Sequence, residues 1–498
     1  MARKLIREPL YRLTQEFKDQ PELIEEYIYQ TFDLINKVEN VLKAYITLRN
    51  LKNINLDARN IIKEIRKNGY KNKKLFGVLI AVKDNIVIKG IRTTCASKML
   101  NDFIPPYTAT AVNKILREGA IILGKTNMDE FAMGSTTENS AFFITRNPWD
   151  PERVPGGSSG GSAVATAAYE CTASLGSDTG GSIRAPAAFT GTVGLKPTYG
   201  LVSRYGLIAY ANSLEQIGPI ARTVRDAAIL LSVIGGYDPK DSTSLAINRS
   251  KLDYESYVTE EPIKKYRIAV IKEMTEEGID NTIKSSFSKA LSKLSNEGFD
   301  IDEVSLPIIK YALPTYYIIA MAEASSNLAR YDGIRYGYHI PVEGKTWTDI
   351  YSLARSEGFG PEVRRRIIIG SFVLSAGYYD QYYLRASKVR KLLYDEIRNL
   401  FSKYDVIASP TMPILPPRLG EKITDPLQLY AMDVNTVVAN LVGIPAISIP
   451  SDLIGDLPVG LQFMGPELSE GYLFNLAHIY EMKSHLQSLV PNWVSAHV

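Results

Sequence analysis

The chain has 498 residues, 57 basic and 54 acidic side chains, a formal net charge of +3, and 45% hydrophobic residues. This is a globular composition, long enough for two or three ordinary domains or one large α/β unit with insertions. The balanced charge excludes nucleic-acid binding argued from charge alone, and no apolar run approaches the roughly 20 residues that cross a bilayer.

Residues 1 to about 70 read as helical. Gln20-Pro21-Glu22 precedes apolar residues at three- and four-residue spacing, with acids near the helix start. This segment is expected to pack on the outside of the main body or to meet a partner. From Leu75 the rhythm changes. Phe76 to Val82 is a short apolar run suited to a buried strand, Ala109 to Glu118 a helix, and Ala120 to Gly124 another strand. The small apolar residues Ala163 to Leu175 suit a buried helix. Residues 238 to 262 are polar and loop-like. Ile268 to Ile271 restarts a strand, Ile283 to Asn296 follows as a helix, and residues 306 to 400 are mostly helical and tyrosine-rich. Asp405 to Ser409 and Ala446 to Ile449 return to strand. Alternating strands and helices predict an α/β core, residues 71–498, with a helical layer at about 270–400.

Cysteine usage is sparse. Cys95 and Cys171 are far apart and form no CxxC pair, and the first residues lack a signal-peptide core. A reduced, cytoplasmic protein without a zinc knuckle is expected. The four histidines all lie far from the chemistry-bearing segment, which makes a base other than histidine worth seeking.

That segment is Pro155 to Pro197. It holds two serine-bearing glycine clusters, Gly156 to Ser162 (GGSSGGS) and Thr179 to Ser182 (TGGS). Glycine allows backbone N–H groups to approach a ligand closely, and a serine in such a turn can attack a carbonyl while nearby N–H groups hold the oxyanion. Upstream, Lys83 directly follows a predicted buried strand. Alone it would be an ordinary strand-end lysine. Buried, it would lose proton affinity and become a neutral base.

In this order, a strand-end lysine, GGSSGGS and DTGGSIR, the chain resembles the amidase signature family. The resemblance implies an α/β fold with a large mixed central sheet covered by helices on both faces. It implies a Ser–Ser–Lys triad: Ser182 as nucleophile, Ser158 as bridging serine on a cis peptide after Gly157, and Lys83 as base. Backbone N–H groups of Thr179, Gly180, Gly181 and Ser182 would form the oxyanion hole. Ser159, Asp178 and Arg184 are expected in support. No metal is implied.

Three further stretches, Leu313 to Gly337, Ser356 to Ile367 and Gly377 to Tyr383, resemble the tRNA-dependent amidotransferase A-subunit branch of that family. A free glutamine needs a cation for its carboxylate and an acid for its ammonium. The resemblance suggests Arg365 and Asp433, with Tyr316 lining the pocket. The choice among Arg364, Arg365 and Arg366, and between Tyr316 and Tyr317, stays open. No role is assigned within Ser135 to Ser140. This branch implies glutaminase activity in an ATP-dependent complex. A B subunit would act as kinase and transamidase with ATP and Mg, a small C subunit would wrap this chain, and misacylated tRNA would be the acceptor. No cofactor is expected on this chain and no membrane contact. The alternatives are a stand-alone amidase on small amides and a noncatalytic scaffold. Retention of Lys83, Ser158 and Ser182 together argues against the scaffold.

Overall fold

A computed structural model describes residues 4–68, 73–248, 251–276, 278–421, 426–486 and 490–497. Among the described residues, eleven strands form one mixed sheet. In chain order they are β1 (Tyr45–Leu48), β2 (Leu79–Lys83), β3 (Ile121–Thr126), β4 (Ala173–Asp178), β5 (Val193–Lys196) and β6 (Gln216–Ala221). Then come β7 (Arg267–Ile271), β8 (Asp300–Val304), β9 (Val406–Pro410), β10 (Ala446–Ile454) and β11 (Leu457–Met464). Across the sheet the order is β1-β3-β2-β4-β6-β5-β10-β11-β9-β7-β8. Strands β3-β2-β4 and β9-β7-β8 run parallel within each group. The strands between them pair antiparallel.

Side-chain alternation explains the layers. Ile268, Val270, Val406 and Ala408 join one apolar core, whereas Ala269, Ile271 and Ile407 join a second. Successive strand residues point to opposite faces, so the sheet is buried on both. The second core is completed by the helices Ala312–Leu328, Pro361–Leu374 and Tyr383–Leu400. The first also takes in Leu13, Phe17, Ile24 and Ile28 from the N-terminal helices.

Three local readings differ from the pattern. The N-terminal stretch is not wholly helical: Tyr45-Ile-Thr-Leu48, rich in β-branched and aromatic side chains, adds β1 antiparallel to β3. Ala163 to Leu175 splits. The helix Gly160–Ala167 stops before Tyr169, which adopts φ +62°, and β4 begins at Ala173. Strand β8 reads Asp-Ile-Asp-Glu-Val, and its charges suit a solvent-facing edge rather than a buried run.

Candidate active site

The site lies where β2 and β4 end side by side. Lys83 is the last residue of β2, and β4 ends at Asp178, just before the Thr179–Ser182 turn. The helix Gly160–Ala167 packs against both strands and carries the first glycine cluster on its leading end. Gly161 is required there: a Cβ would sit 2.5 Å from the carbonyl oxygens of Ala44 and Asn127. Small residues let this helix sink onto the sheet.

Lys83 is fully buried and its Nζ donates to Ser158 Oγ at 2.7 Å and to the Ser177 carbonyl at 3.2 Å. Burial lowers its pKa to about 7, partly opposed by the charges of Asp129 and Asp178. A neutral amine is therefore accessible near neutral pH, and the hydroxyl beside it can pass a proton to it. The Gly157–Ser158 peptide is cis. Ser158 is wholly buried, and Ser182 keeps 8% of its surface exposed. The two turns are tied together where Ser159 N–H donates to the Ser182 carbonyl at 3.1 Å. Ser159 Oγ donates to the Ser177 carbonyl, fixing the first cluster to β4.

Asp178 shapes the Thr179–Ser182 turn. Its carboxylate accepts N–H groups from Gly181 at 2.8 Å and Ile183 at 3.1 Å, and a two-pronged contact from Arg184 at 3.0 and 3.1 Å. Burial works to raise its pKa, but Arg184 and Asn440 outweigh that and hold the carboxyl well below the usual range. Arg184 in turn donates to the Thr436 carbonyl, Gln462 and Asn440. Thr436 Oγ1 donates to the Gly180 carbonyl at 2.6 Å. Gly181 adopts φ +129°, a conformation for glycine. Its N–H is already donated to Asp178.

Above the turn, the Tyr316 hydroxyl lies against Gly180, where a Cβ would meet it at 2.4 Å without the glycine. Tyr317 donates to Asp433 Oδ2 at 2.6 Å, and Ser135 Oγ reaches both Asp433 oxygens at 3.0 Å. Burial raises Asp433 to about 6. Of the three arginines, Arg366 is buried: it donates to Glu362 Oε1 and to the Tyr210 hydroxyl, both at 2.8 Å, and lies 5.3–5.7 Å from the rings of Tyr210, Tyr317 and Tyr430. Arg365 pairs with the other Glu362 oxygen, its side chain 44% exposed. Arg364 reaches back to the Ser356 carbonyl and lines a cleft of about 560 Å³ with Lys98, Glu130, Asn139 and Glu362. Tyr317, Asp433 and Arg366 thus come together, with Tyr316 against Gly180 of the Thr179–Ser182 turn, while Arg365 joins them only through Glu362.

Several members had no local signal in the sequence. Thr436, Asn440 and Gln462 anchor Arg184 from more than 250 positions away, and Tyr210, 156 positions away, holds Arg366. Among the described residues no group of three or more His, Cys, Asp or Glu could hold a metal ion, and no helix is long and apolar enough to cross a membrane.

A family profile described as Amidase matches residues 23–474. The chain belongs to the amidase family. It is 55% identical over 471 residues to the glutamyl-tRNA(Gln) amidotransferase A subunit of Sulfolobus acidocaldarius, covering 94% of this chain and 96% of that one. With the protein of the same name from Carboxydothermus hydrogenoformans it shares 51% identity over 479 residues, 96% of this chain and 98% of the relative. Among solved structures, the glutamyl-tRNA(Gln) amidotransferase A subunit of Thermotoga maritima superposes with a TM-score of 0.80 at 43% identity, covering 97% of this chain and 96% of that one.

Proposed function

We propose that this chain is the A subunit of a glutamyl-tRNA(Gln) amidotransferase, the component that hydrolyses glutamine and releases ammonia for the complex. Full-length similarity to proteins of that name supports it, and the observation that carries the chemistry is the 2.7 Å contact from a buried lysine to a serine. Ser182 Oγ attacks the side-chain amide carbon of glutamine. Its proton passes through Ser158 to Lys83. The negative charge on the former carbonyl oxygen falls to the Thr179, Gly180 and Ser182 amides, the Gly181 N–H being held by Asp178. Lys83 returns the proton through Ser158 to the departing nitrogen, the C–N bond breaks, and ammonia leaves. Water then attacks the Ser182 ester by the same relay and frees glutamate.

Asp433, held by Ser135 and Tyr317, receives the substrate ammonium. Arg365, with Arg366 locking Glu362 beside it, receives the carboxylate. The acceptor step belongs to partners: a B subunit that activates the misacylated tRNA with ATP and Mg, and a small C subunit, in the cytoplasm. This division leaves the chain with no need of a basic stripe, in keeping with its charge of +3. The test is Ser182→Ala in the assembled complex. Glutamine hydrolysis and glutamine-dependent amidation are expected to vanish, and amidation with added ammonium salt to persist. Loss of both would make Ser182 structural. Full activity of the isolated chain on many small amides, indifferent to partners, would turn the reading to a stand-alone amidase.

A further inference from the structure

We propose that Asp129 is a positioning residue for this chemistry, clamping the 134–139 loop onto the bridging-serine turn and setting the charge that the base Lys83 faces. The proposal rests on the glutaminase reading above.

Asp129 is fully buried. Its Oδ2 accepts the Thr137 N–H at 2.9 Å, and its Oδ1 accepts the Asn139 N–H and Nδ2, each at 3.2 Å. Its own N–H donates to the Ser158 carbonyl at 3.2 Å. Thr137 closes the ring: its Oγ1 donates to the Gly156 carbonyl at 2.8 Å and accepts the Gly160 N–H at 3.1 Å. One carboxylate and its nearest loop therefore grip the serine turn on both sides of Ser158. The fit is tight. A Cβ on Gly157 would lie 2.1 Å from Asp129 Oδ2, and one on Gly134 would lie 2.5 Å from Oδ1. The same loop presents Ser135 to Asp433, so Asp129 also links the serine turn to the substrate side.

The three donors to this carboxylate are neutral, so its charge is not cancelled locally. The charged and titratable groups facing Lys83 are Asp129, Asp178, Cys95 and Glu215, with Asp129 foremost. Those facing Asp129 are Lys83 and Glu138. Burial raises Asp129 to about 6, so it is an anion at neutral pH. Its chemical purpose follows from the base. Burial alone would make Lys83 lose its proton too readily to be an effective base, and an opposed anion restores proton affinity toward ambient pH, where a general base works best.

The sign is fixed. Removing the anion makes Lys83 lose its proton at lower pH, so the acid limb of kcat/KM moves down. Glutamine hydrolysis is measured from about pH 5 to pH 10 with the chain in its complex. For Asp129→Asn the limb is expected to move down by about one pH unit, with kcat on the plateau reduced about ten-fold by the loosened turn. Asn139→Ala removes one donor, makes the carboxylate easier to protonate, and is expected to move the limb the same way by less. A limb unmoved in Asp129→Asn overturns the proposal whatever kcat does, since a purely structural residue would lower the rate without moving the profile. If that variant yields no folded protein, a wild-type profile and rate in Asn139→Ala overturns it. Ser182→Ala in the same assay separates the two levels. Residual glutamine hydrolysis there defeats the site reading itself, whereas an inactive Ser182→Ala beside an unmoved Asp129→Asn limb defeats only the role of Asp129.

Discussion

Lys83 and Lys125 are neighbours on parallel strands, both with no exposed surface, and they have opposite surroundings. Lys125 meets a carboxylate, Asp84 Oδ1 at 3.0 Å, and the Thr93 hydroxyl at 2.9 Å. Lys83 meets a hydroxyl and a carbonyl. The first pairing holds an ammonium in place as one half of a buried ion pair. The second gives the charge no contact partner and leaves the amine free to exchange a proton with Ser158. Burial is common to both; the contacting atoms separate a structural cation from a base. Lys196 sharpens the point. It too is buried and lowered to about 7, chiefly by burial, yet its Nζ donates to the Pro197 carbonyl and contacts no hydroxyl. Proton affinity near neutrality is not enough without a group to receive or supply the proton.

The same substitution at the two neighbours is the strongest way to break this comparison. Lys83→Met is expected to lower glutamine hydrolysis by about 10³-fold or more while costing far less stability than Lys125→Met, because no carboxylate contacts its amine and Asp129, which it faces, keeps its three hydrogen-bond donors. Lys125→Met is expected to do the reverse. It strands Asp84 as a buried charge and costs about 3–5 kcal/mol of stability in denaturant titration, and the double variant with Asp84→Asn recovers part of it. Equal damage to stability at both positions would erase the distinction.

A smaller effect comes from a third arrangement, two buried carboxyls side by side. Glu170 is wholly buried and neither of its oxygens has a hydrogen-bond partner of ordinary geometry. Burial, then the neighbouring Glu39, holds its pKa well above the carboxylate range, and burial lifts Glu39 to about 7. Both folded pKa values lie above the ordinary value of 4.5. The folded protein therefore holds protons that the unfolded chain releases. This stabilisation is complete below about pH 4.5 and is lost as pH rises through about 7 and beyond. Melting temperatures at pH 5 and pH 8 should differ less in Glu170→Gln than in the parent, by about 2 °C. An identical difference in both proteins would show that Glu170 is already ionised in the fold.

Much of this was legible in the chain because it is local. Lys83, the GGSSGGS turn and the DTGGSIR turn each carry their meaning in a few adjacent residues, and strands such as β2 and β3 announce themselves as apolar runs. What escaped was of two physical kinds. Strand β8 is charged because an edge needs only one neighbour, so its pattern reads as surface. The second kind is assembled across distance: Asn440 on Asp178, Tyr210 on Arg366, Glu39 beside Glu170. A polar side chain looks the same in sequence whether it meets water or a partner hundreds of positions away. The loop Ser135 to Asn139 shows this most clearly, with no role assigned from sequence and contacts to both Asp129 and Asp433 in the fold.

The close approach of Gly161 to the Ala44 carbonyl ties the reaction floor to the chain's first seventy residues. Asn127 N–H donates to that same carbonyl at 2.7 Å, and Thr145 Oγ1 to the carbonyl of Lys43. The N-terminal segment is thus one wall of the room in which the helix of the serine turn sits, not a detachable sleeve around it. Any transplant of this catalytic floor into another scaffold must carry Lys43 to Leu48 with it, and recombination between relatives at a crossover near residue 70 would pair a floor with a foreign wall.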